Sequence, residues 1–333
     1  MDNLTHSLTG ILLARAGLNR LAPRATILAV IAANLPDLDL VTAVNGSLCY
    51  FAQHRGFTHA LFWSPLVALA AMPIWWLFAR KGNLTKRDWA GAYLVSLIAI
   101  FSHLGLDVLN IYCVRLYLPF SGAWPHLDLV HIVDVWIWII LLVCTLGPLL
   151  GRLVDSEIGA RRTRGRGMAI AGLVLIAAYL TGRAALHARA VETLQSRVYD
   201  KEQPRVTLAL PSAANPWQWT GLIETSAAWR VLPVNLLMRD FYPEAGRNLF
   251  KPDIARFHAA VIQTETARVF LNFSQAPLWR VIPVSSPEGA SLVRIYDLRF
   301  GLPDEGAFSC DFLINAEGKV MRERFGFGTM KSE

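Results

Sequence analysis

Apolar residues run in long blocks through the first 190 positions and in short, turn-punctuated blocks after that. Residues 60–79, 89–109, 132–150 and 168–186 each approach the length of about 20 residues that a helix needs to cross a bilayer. A fifth block, 25–44, is interrupted by Asn34-Leu-Pro-Asp-Leu-Asp39, where Pro36 opposes regular helix. A sixth, 8–18, is short and reads as a partial span or a re-entrant helix. It is a poor cleavable signal, because Asp2 stands where a basic residue is expected and Arg15 interrupts the apolar stretch. Beyond 204 the runs 205–210, 217–224, 229–236, 292–300, 308–314 and 320–327 have the length and turn spacing of strands. Glu317-Gly318 suits a hairpin between the last two. Residues 252–273 place Ile254, Phe257, Val261 and Thr264 at helical intervals. The expected fold is therefore an α-helical integral membrane domain of about six segments (residues 1–187), a helical linker (188–203), and an extracytoplasmic α+β domain with an antiparallel sheet (204–333).

Composition agrees. Hydrophobic residues make up 54% of the 333 positions and charged residues 17%, where a soluble domain carries about 25% charged residues. Disorder, coiled coil, collagen and disulfide scaffolds are excluded on those figures. The net charge of +7 is not a nucleic-acid signal, since no basic stripe with interleaved aromatics accompanies it. The basic residues instead sit between the apolar blocks. If the chain starts outside and crosses at each block, the inner loops hold Arg15, Arg20, Arg24, Arg80, Lys81, Lys86, Arg87, Arg152, Arg161, Arg162, Arg164 and Arg166. The outer loops of the same region hold Arg55 and Arg115. That bias predicts a bacterial inner-membrane protein with both termini extracytoplasmic. Four cysteines (Cys49, Cys113, Cys144, Cys310) form no CxxC pattern; Cys49 and Cys113 fall on one side and either pair or pack as free thiols.

Ionisable residues inside spans are costly and normally face a partner, a cavity or an ion. This chain has Asp2, His6, Asp37, Asp39, His54, His59, His103, Asp107, His126, Asp128, His131 and Asp134 in or beside its apolar blocks. Under the orientation above, all of them fall at the outer side. His103 and Asp107 are one helical turn apart on one face. Asp128, His131 and Asp134 would share a face if helical, and Pro36 lets Asp37 and Asp39 turn toward one pocket. Imidazole with carboxylate is a ligand set for zinc, manganese or iron, and the absence of thiolate argues against a structural Cys-type zinc site. The expected ligands are His6, Asp37, Asp39, His54, His59, His103, Asp107 and His131, around one or two divalent ions, zinc or manganese. Taken singly, His103 and Asp107 read equally as an interhelical hydrogen bond, and His126 and Asp128 as solvated loop. Asp297, Asp311 and His258 read as surface or turn residues.

The opening Met1-Asp-Asn-Leu-Thr-His-Ser7, the Leu35-Pro-Asp-Leu-Asp39 break, His54-Arg-Gly-Phe-Thr-His59 and Ser102-His-Leu-Gly-Leu-Asp107 resemble the YdjM-like family of proposed membrane-bound metal-dependent hydrolases. The resemblance implies an inner-membrane protein and divalent-metal hydrolysis, carried over to His6, Asp37, Asp39, His54, His59, His103 and Asp107. It implies no substrate, and it assigns no activity to the C-terminal extension.

The function expected from these residues is a divalent-metal hydrolase at the outer face of the inner membrane. Its substrate would be a membrane lipid or lipid-linked ester such as a prenyl phosphate. Asp39 or Asp107 would serve as general base and Arg55 would stabilise developing charge. The rival readings are a metal-binding transporter and a non-enzymatic scaffold whose C-terminal domain binds an envelope protein.

Overall fold

The computed structural model describes residues 1–158, 165–238, 240–285, 287–306 and 308–326. Phe327, the end of one expected strand, and the loop residues Arg161, Arg162 and Arg164 lie outside them. The chain divides into two compact units: Met1–Leu40, Gln53–His187 and Pro211–Pro216 form the first, and Val41–Ala52, Ala188–Leu210 and Trp217–Glu333 form the second.

The first unit is helical. Its helices are α1 (Asn3–Ala16) and α2 (Ala25–Asn34), then, after α3 (Ser47–Gln53), α4 (Ser64–Ala79), α5 (Lys86–Val108), α6 (Val135–Ile158) and α7 (Arg166–Gln195). Helices α5 and α7 are long and apolar enough to cross a membrane. The count rises to four if Ala25–Asn34 with Pro36–Asn45, bent by 44°, and Ser47–His59 with Ser64–Ala79, bent by 91°, are each one span. The first bend falls at Pro36, as the sequence predicts: α2 stops at Asn34 and a 3-10 helix, Pro36–Asn45, takes over. Helix α7 runs unbroken to Gln195, so the polar stretch after His187 begins as its continuation.

Two apolar clusters hold this unit together. Small residues of α2 (Ala25, Ala29, Ala32, Ala33) pack with Leu28, with Val67, Ala71 and Trp75 of α4, and with Val95, Ala99 and Ile100 of α5. On the other side, Leu8 and Leu12 of α1 join Ile137, Leu141 and Cys144 of α6 and Ala169 and Ile176 of α7. Helix α1 lies between the two, against α2, α5 and α6. Gly10 permits the approach, because a Cβ there would stand 2.8 Å from the Ala29 carbonyl oxygen. Asp2 caps α1, accepting from Thr5 N at 3.0 Å and from Trp138 Nε1 at 3.1 Å. Large apolar side chains such as Leu69, Leu77 and Phe78 of α4 and Val174 and Leu175 of α7 are exposed, as expected of faces that meet lipid.

The second unit holds two four-stranded antiparallel sheets, ordered β1-β2-β3-β4 and β5-β6-β7-β8. Strands β1 (Val206–Pro211), β2 (Gln218–Glu224), β3 (Ala228–Asn235), β6 (Ser291–Asp297), β7 (Ser309–Ile314) and β8 (Val320–Gly326) stand where the pattern predicts strands. Two more, β4 (Arg247–Phe250) and β5 (Pro277–Pro283), complete the sheets. Gly318, at φ +82°, turns β7 into β8. The expected single helix is two, α8 (Ala255–Ile262) and α9 (Glu265–Phe273), because Thr264 caps the second through Ala267 N. Phe51, Phe273, Phe308 and Phe325 pack together.

Asp297 and Asp311 are not surface residues, as the sequence had suggested; both are buried. Arg294 and Asp311 are register partners on β6 and β7 and pair bidentately, with Nη2 2.7 Å from Oδ2. Burial lowers the affinity of the Arg294 guanidinium for its proton, but hydrogen bonds to Asp311 and Tyr296 outweigh it and hold its pKa above the ordinary value. Asp297 pairs with Arg299 at 2.6 Å. His258 is exposed, as expected.

Valine at Gly10 would overpack the contact between α1 and α2, and we expect it to cost roughly 1–3 kcal/mol. Thermal unfolding of the detergent-solubilised chain measures this; an unchanged transition would mean that the two helices do not approach so closely.

Candidate metal centre

Asp37, His59, His103 and Asp107 each present one ligand atom, and these atoms lie within 4.8 Å of one another. Three separate structural elements supply them. Asp37 opens the 3-10 helix that follows Pro36, and His59 ends the short 3-10 turn Phe57–His59. His103 and Asp107 lie in the last turns of α5. His59, His103 and Asp107 are fully buried, and the Asp37 side chain is 16% exposed.

The separations test whether an ion fits. His59 Nε2 and His103 Nε2 face each other at 3.1 Å. Asp37 Oδ1 lies 3.4 Å from the first and 3.7 Å from the second. Asp107 Oδ2 lies 3.5 Å and 3.4 Å from the same two nitrogens. Ligands bonded at about 2.0–2.1 Å to one tetrahedral ion stand roughly 3.3 Å apart, and these five separations run from 3.1 to 3.7 Å. Hydrogen bonding agrees. His103 Nδ1 donates to the Ala33 carbonyl at 2.7 Å, which leaves the Nε2 lone pair to face the cluster. His59 Nδ1 is held by Thr58 Oγ1 at 3.0 Å. Asp107 Oδ2, though buried, has no hydrogen-bond partner.

The other expected residues surround this cluster in different ways. Asp39 accepts from Arg55 N at 2.8 Å, contacts His54 Nδ1 at 2.9 Å, and lies 3.6 Å from His59 Nδ1. It therefore backs His59, while His54 reaches Asp39 and is not one of the four. The buried Arg55 sends Nη2 to Asp107 Oδ1 at 3.2 Å and Nη1 to the Cys113 carbonyl at 3.3 Å, and lies over the Tyr112 ring. The Met1 amino group also contacts Asp107 Oδ1. His6 is stacked on His103 with ring centroids 3.7 Å apart, and its Nε2 lies 3.4 Å from Asp107 Oδ1.

The turn between His54 and His59 brings these groups together. Arg55 takes φ +54°. A Cβ at Gly56 would stand 2.7 Å from the Gln53 carbonyl oxygen and 2.6 Å from Arg115 Nη2. The Gln53 backbone carbonyl is what requires glycine there, since the Arg115 tip can shift.

Residues 126–134 behave differently, because no helix forms there. Asp128 sits at φ +51° and a bridge joins Asn110 to Val130, so the common face assumed for Asp128, His131 and Asp134 does not exist. His126 Nδ1 meets Asp128 at 2.8 Å, and Asp128 is buried rather than solvated. His131 Nδ1 lies 3.3 Å from the Val133 carbonyl oxygen, outside the four-residue group. Asp134 caps α6 through Trp136 N and Ile137 N and accepts from Tyr179 Oη at 3.0 Å. The four cysteines form no disulfide with one another. Asn110, which the sequence did not single out, accepts from Tyr112 N at 2.7 Å and faces Arg55. An amide ending an apolar helix was the available signal.

A helical unit with apolar spans and a buried His/Asp cluster that could bind an ion defines a class of membrane protein with a candidate metal site. The model of the family described as "YdjM inner membrane protein" matches residues 1–190, and the chain belongs to that family of inner membrane proteins. A protein of Bacillus subtilis (strain 168), described as "Uncharacterized protein YfhP", is 31% identical over 153 residues, covering 42% of this chain and 43% of its own length. The chain thus spans less than half of that relative. No solved structure matches.

Metal affinity should fall as the pH is lowered, because protons compete for the Nε2 lone pairs. Replacing His103 by alanine should weaken binding by more than the roughly 10–100-fold typical of a lost supporting contact. Calorimetric titration of the full chain checks both; a pH-independent affinity would speak against imidazole ligation.

Proposed function

We propose that the protein is a divalent-metal-dependent hydrolase acting at the outer face of the inner membrane on an amphiphilic ester, a phospholipid or prenyl phosphate. The observation that carries this reading is the group of two imidazole nitrogens and two carboxylate oxygens at ligand spacing around one point. A zinc or manganese ion bound there would supply Lewis acidity and acidify water to a usable nucleophile at neutral pH.

The chain's own residues do the rest. Asp37, His59, His103 and Asp107 hold the ion. Asp39 lies on the Nδ1 side of His59, away from the ligand nitrogen, so it fixes that ring's orientation rather than taking a proton from the attacking water. Arg55 places a fixed positive charge beside Asp107, in a water-poor setting where it stabilises charge developing on a phosphoryl oxygen. The six-segment topology with both ends extracytoplasmic belongs to this proposal and is supported by the loop charges. So does recruitment of an envelope protein by the C-terminal unit.

The test is release of product from labelled lipids by the purified full chain in detergent. Chelator and His59→Ala should abolish turnover, and Asp39→Asn should reduce it by about 10–100-fold. A preparation that binds metal yet turns over no lipid class would overturn the hydrolase reading.

A further inference from the structure

Strand β3 ends in a turn built by Asn235, whose side-chain oxygen accepts from Leu237 N and whose carbonyl accepts from Met238 N, both at 3.1 Å. Leu236 N donates to the Trp217 carbonyl at 3.0 Å. The turn buries Leu236 but leaves Leu237 65% and Met238 64% exposed, and Tyr242, four residues on, is 61% exposed. Three large apolar side chains so close together on one loop are out of place in water.

This loop and the end of α7 enclose a cavity of about 380 Å³ that lies wholly within the second unit. That volume is in the range of small-molecule sites. Leu236, Met238 and Phe241 give it an apolar wall, while Arg189 and Asp240 bring one positive and one negative charge to the same space. Among the described residues neither charge is engaged in an ion pair, with the other or with a third group.

Helix α7 fixes where the cavity lies. The helix is long and apolar enough to cross a membrane. At 1.5 Å per residue, Arg189 comes about 32 Å after Met168, where the apolar run begins; the hydrocarbon layer is about 30 Å thick. When α7 spans, Arg189 and the Thr193 that follows it one turn later stand in the headgroup layer, and the cavity they line stands there too.

We propose that this cavity binds the headgroup of a zwitterionic phospholipid, with the phosphate on Arg189, the ammonium on Asp240, and Leu237 and Met238 among the upper acyl carbons. The site holds lipid without cleaving it and does not rest on the metal centre. A lipid that has phosphate but no ammonium keeps the Arg189 contact and loses the Asp240 contact. Both side chains are exposed, so each contact changes affinity by fivefold or less, as measured for exposed ion pairs.

The experiment reconstitutes the full chain in vesicles of phosphatidylethanolamine and phosphatidylglycerol. Each lipid is supplied in turn as a trace probe with a photoreactive group near its glycerol backbone, and labelled peptides are mapped by mass spectrometry. We expect label on residues 231–247, with the phosphatidylethanolamine probe ahead by roughly two- to fivefold. Arg189→Ala should lower labelling by both probes, and Asp240→Asn should remove the difference between them. Chelator should leave this labelling unchanged, which separates it from any lipid bound at the metal centre. No label on 231–247, or equal labelling by the two probes in the wild-type chain, overturns the proposal, as does labelling that disappears with chelator. The wild-type comparison decides the matter even where a variant fails to fold.

Discussion

A carboxylate with no exposure, set among apolar helices, stays ionised only if something nearby compensates for the water it has lost. Asp107 is such a group, and the first unit is arranged around it. Arg55 approaches one oxygen; His59 and His103 approach the other. Helix α5 carries Asp107 and His103 together, so the remaining elements must be brought to α5. The alanine-rich face of α2 permits close packing on one side, and Gly10 brings α1 within reach. Small residues in this unit therefore serve the polar centre as much as the apolar one.

Much of this was legible in the sequence because the relevant signals are local. Pro36 marked the end of α2, and the four-residue spacing of His103 and Asp107 placed them on one face. The blocks of apolar residues marked the helices, though helix geometry alone supports two to four spans rather than six. The illegible parts are those where one residue fits two roles. Thr264 falls on the periodic face of a single helix yet acts as the cap that divides it in two. Strand β4 has four residues and β5 is bounded by prolines, so neither shows the run of β-branched residues that marks a strand. Asp311 looks like a turn residue in one dimension, because its partner Arg294 lies on the neighbouring strand and 17 positions away.

The His54–His59 segment shows why a short motif carries so much. A left-handed Arg55 followed by a glycine pressed against the Gln53 carbonyl reverses the chain within a few residues. Three groups are aimed by that reversal: His54 at Asp39, the Arg55 guanidinium at Asp107, and His59 into the cluster. One backbone turn thus positions a ligand, the support for that ligand, and the nearby cation. Loosening it would disturb all three together.

The buried polar residues of the first unit were expected as one set, and they divide by whether their hydrogen bonds close within the protein. Asp134 is used up by the α6 backbone and Tyr179, and His126 by Asp128; these are structural solutions to burial. The imidazoles of His59 and His103 spend one nitrogen on Thr58 or Ala33 and turn the other toward its counterpart, 3.1 Å away. His6 spends neither, and Asp107 Oδ2 is left over as well. Residues 126–134 are thus a scaffold whose polar groups are used up, whereas Asp37, His59, His103 and Asp107 keep ligand atoms turned toward one point, where an ion could be held.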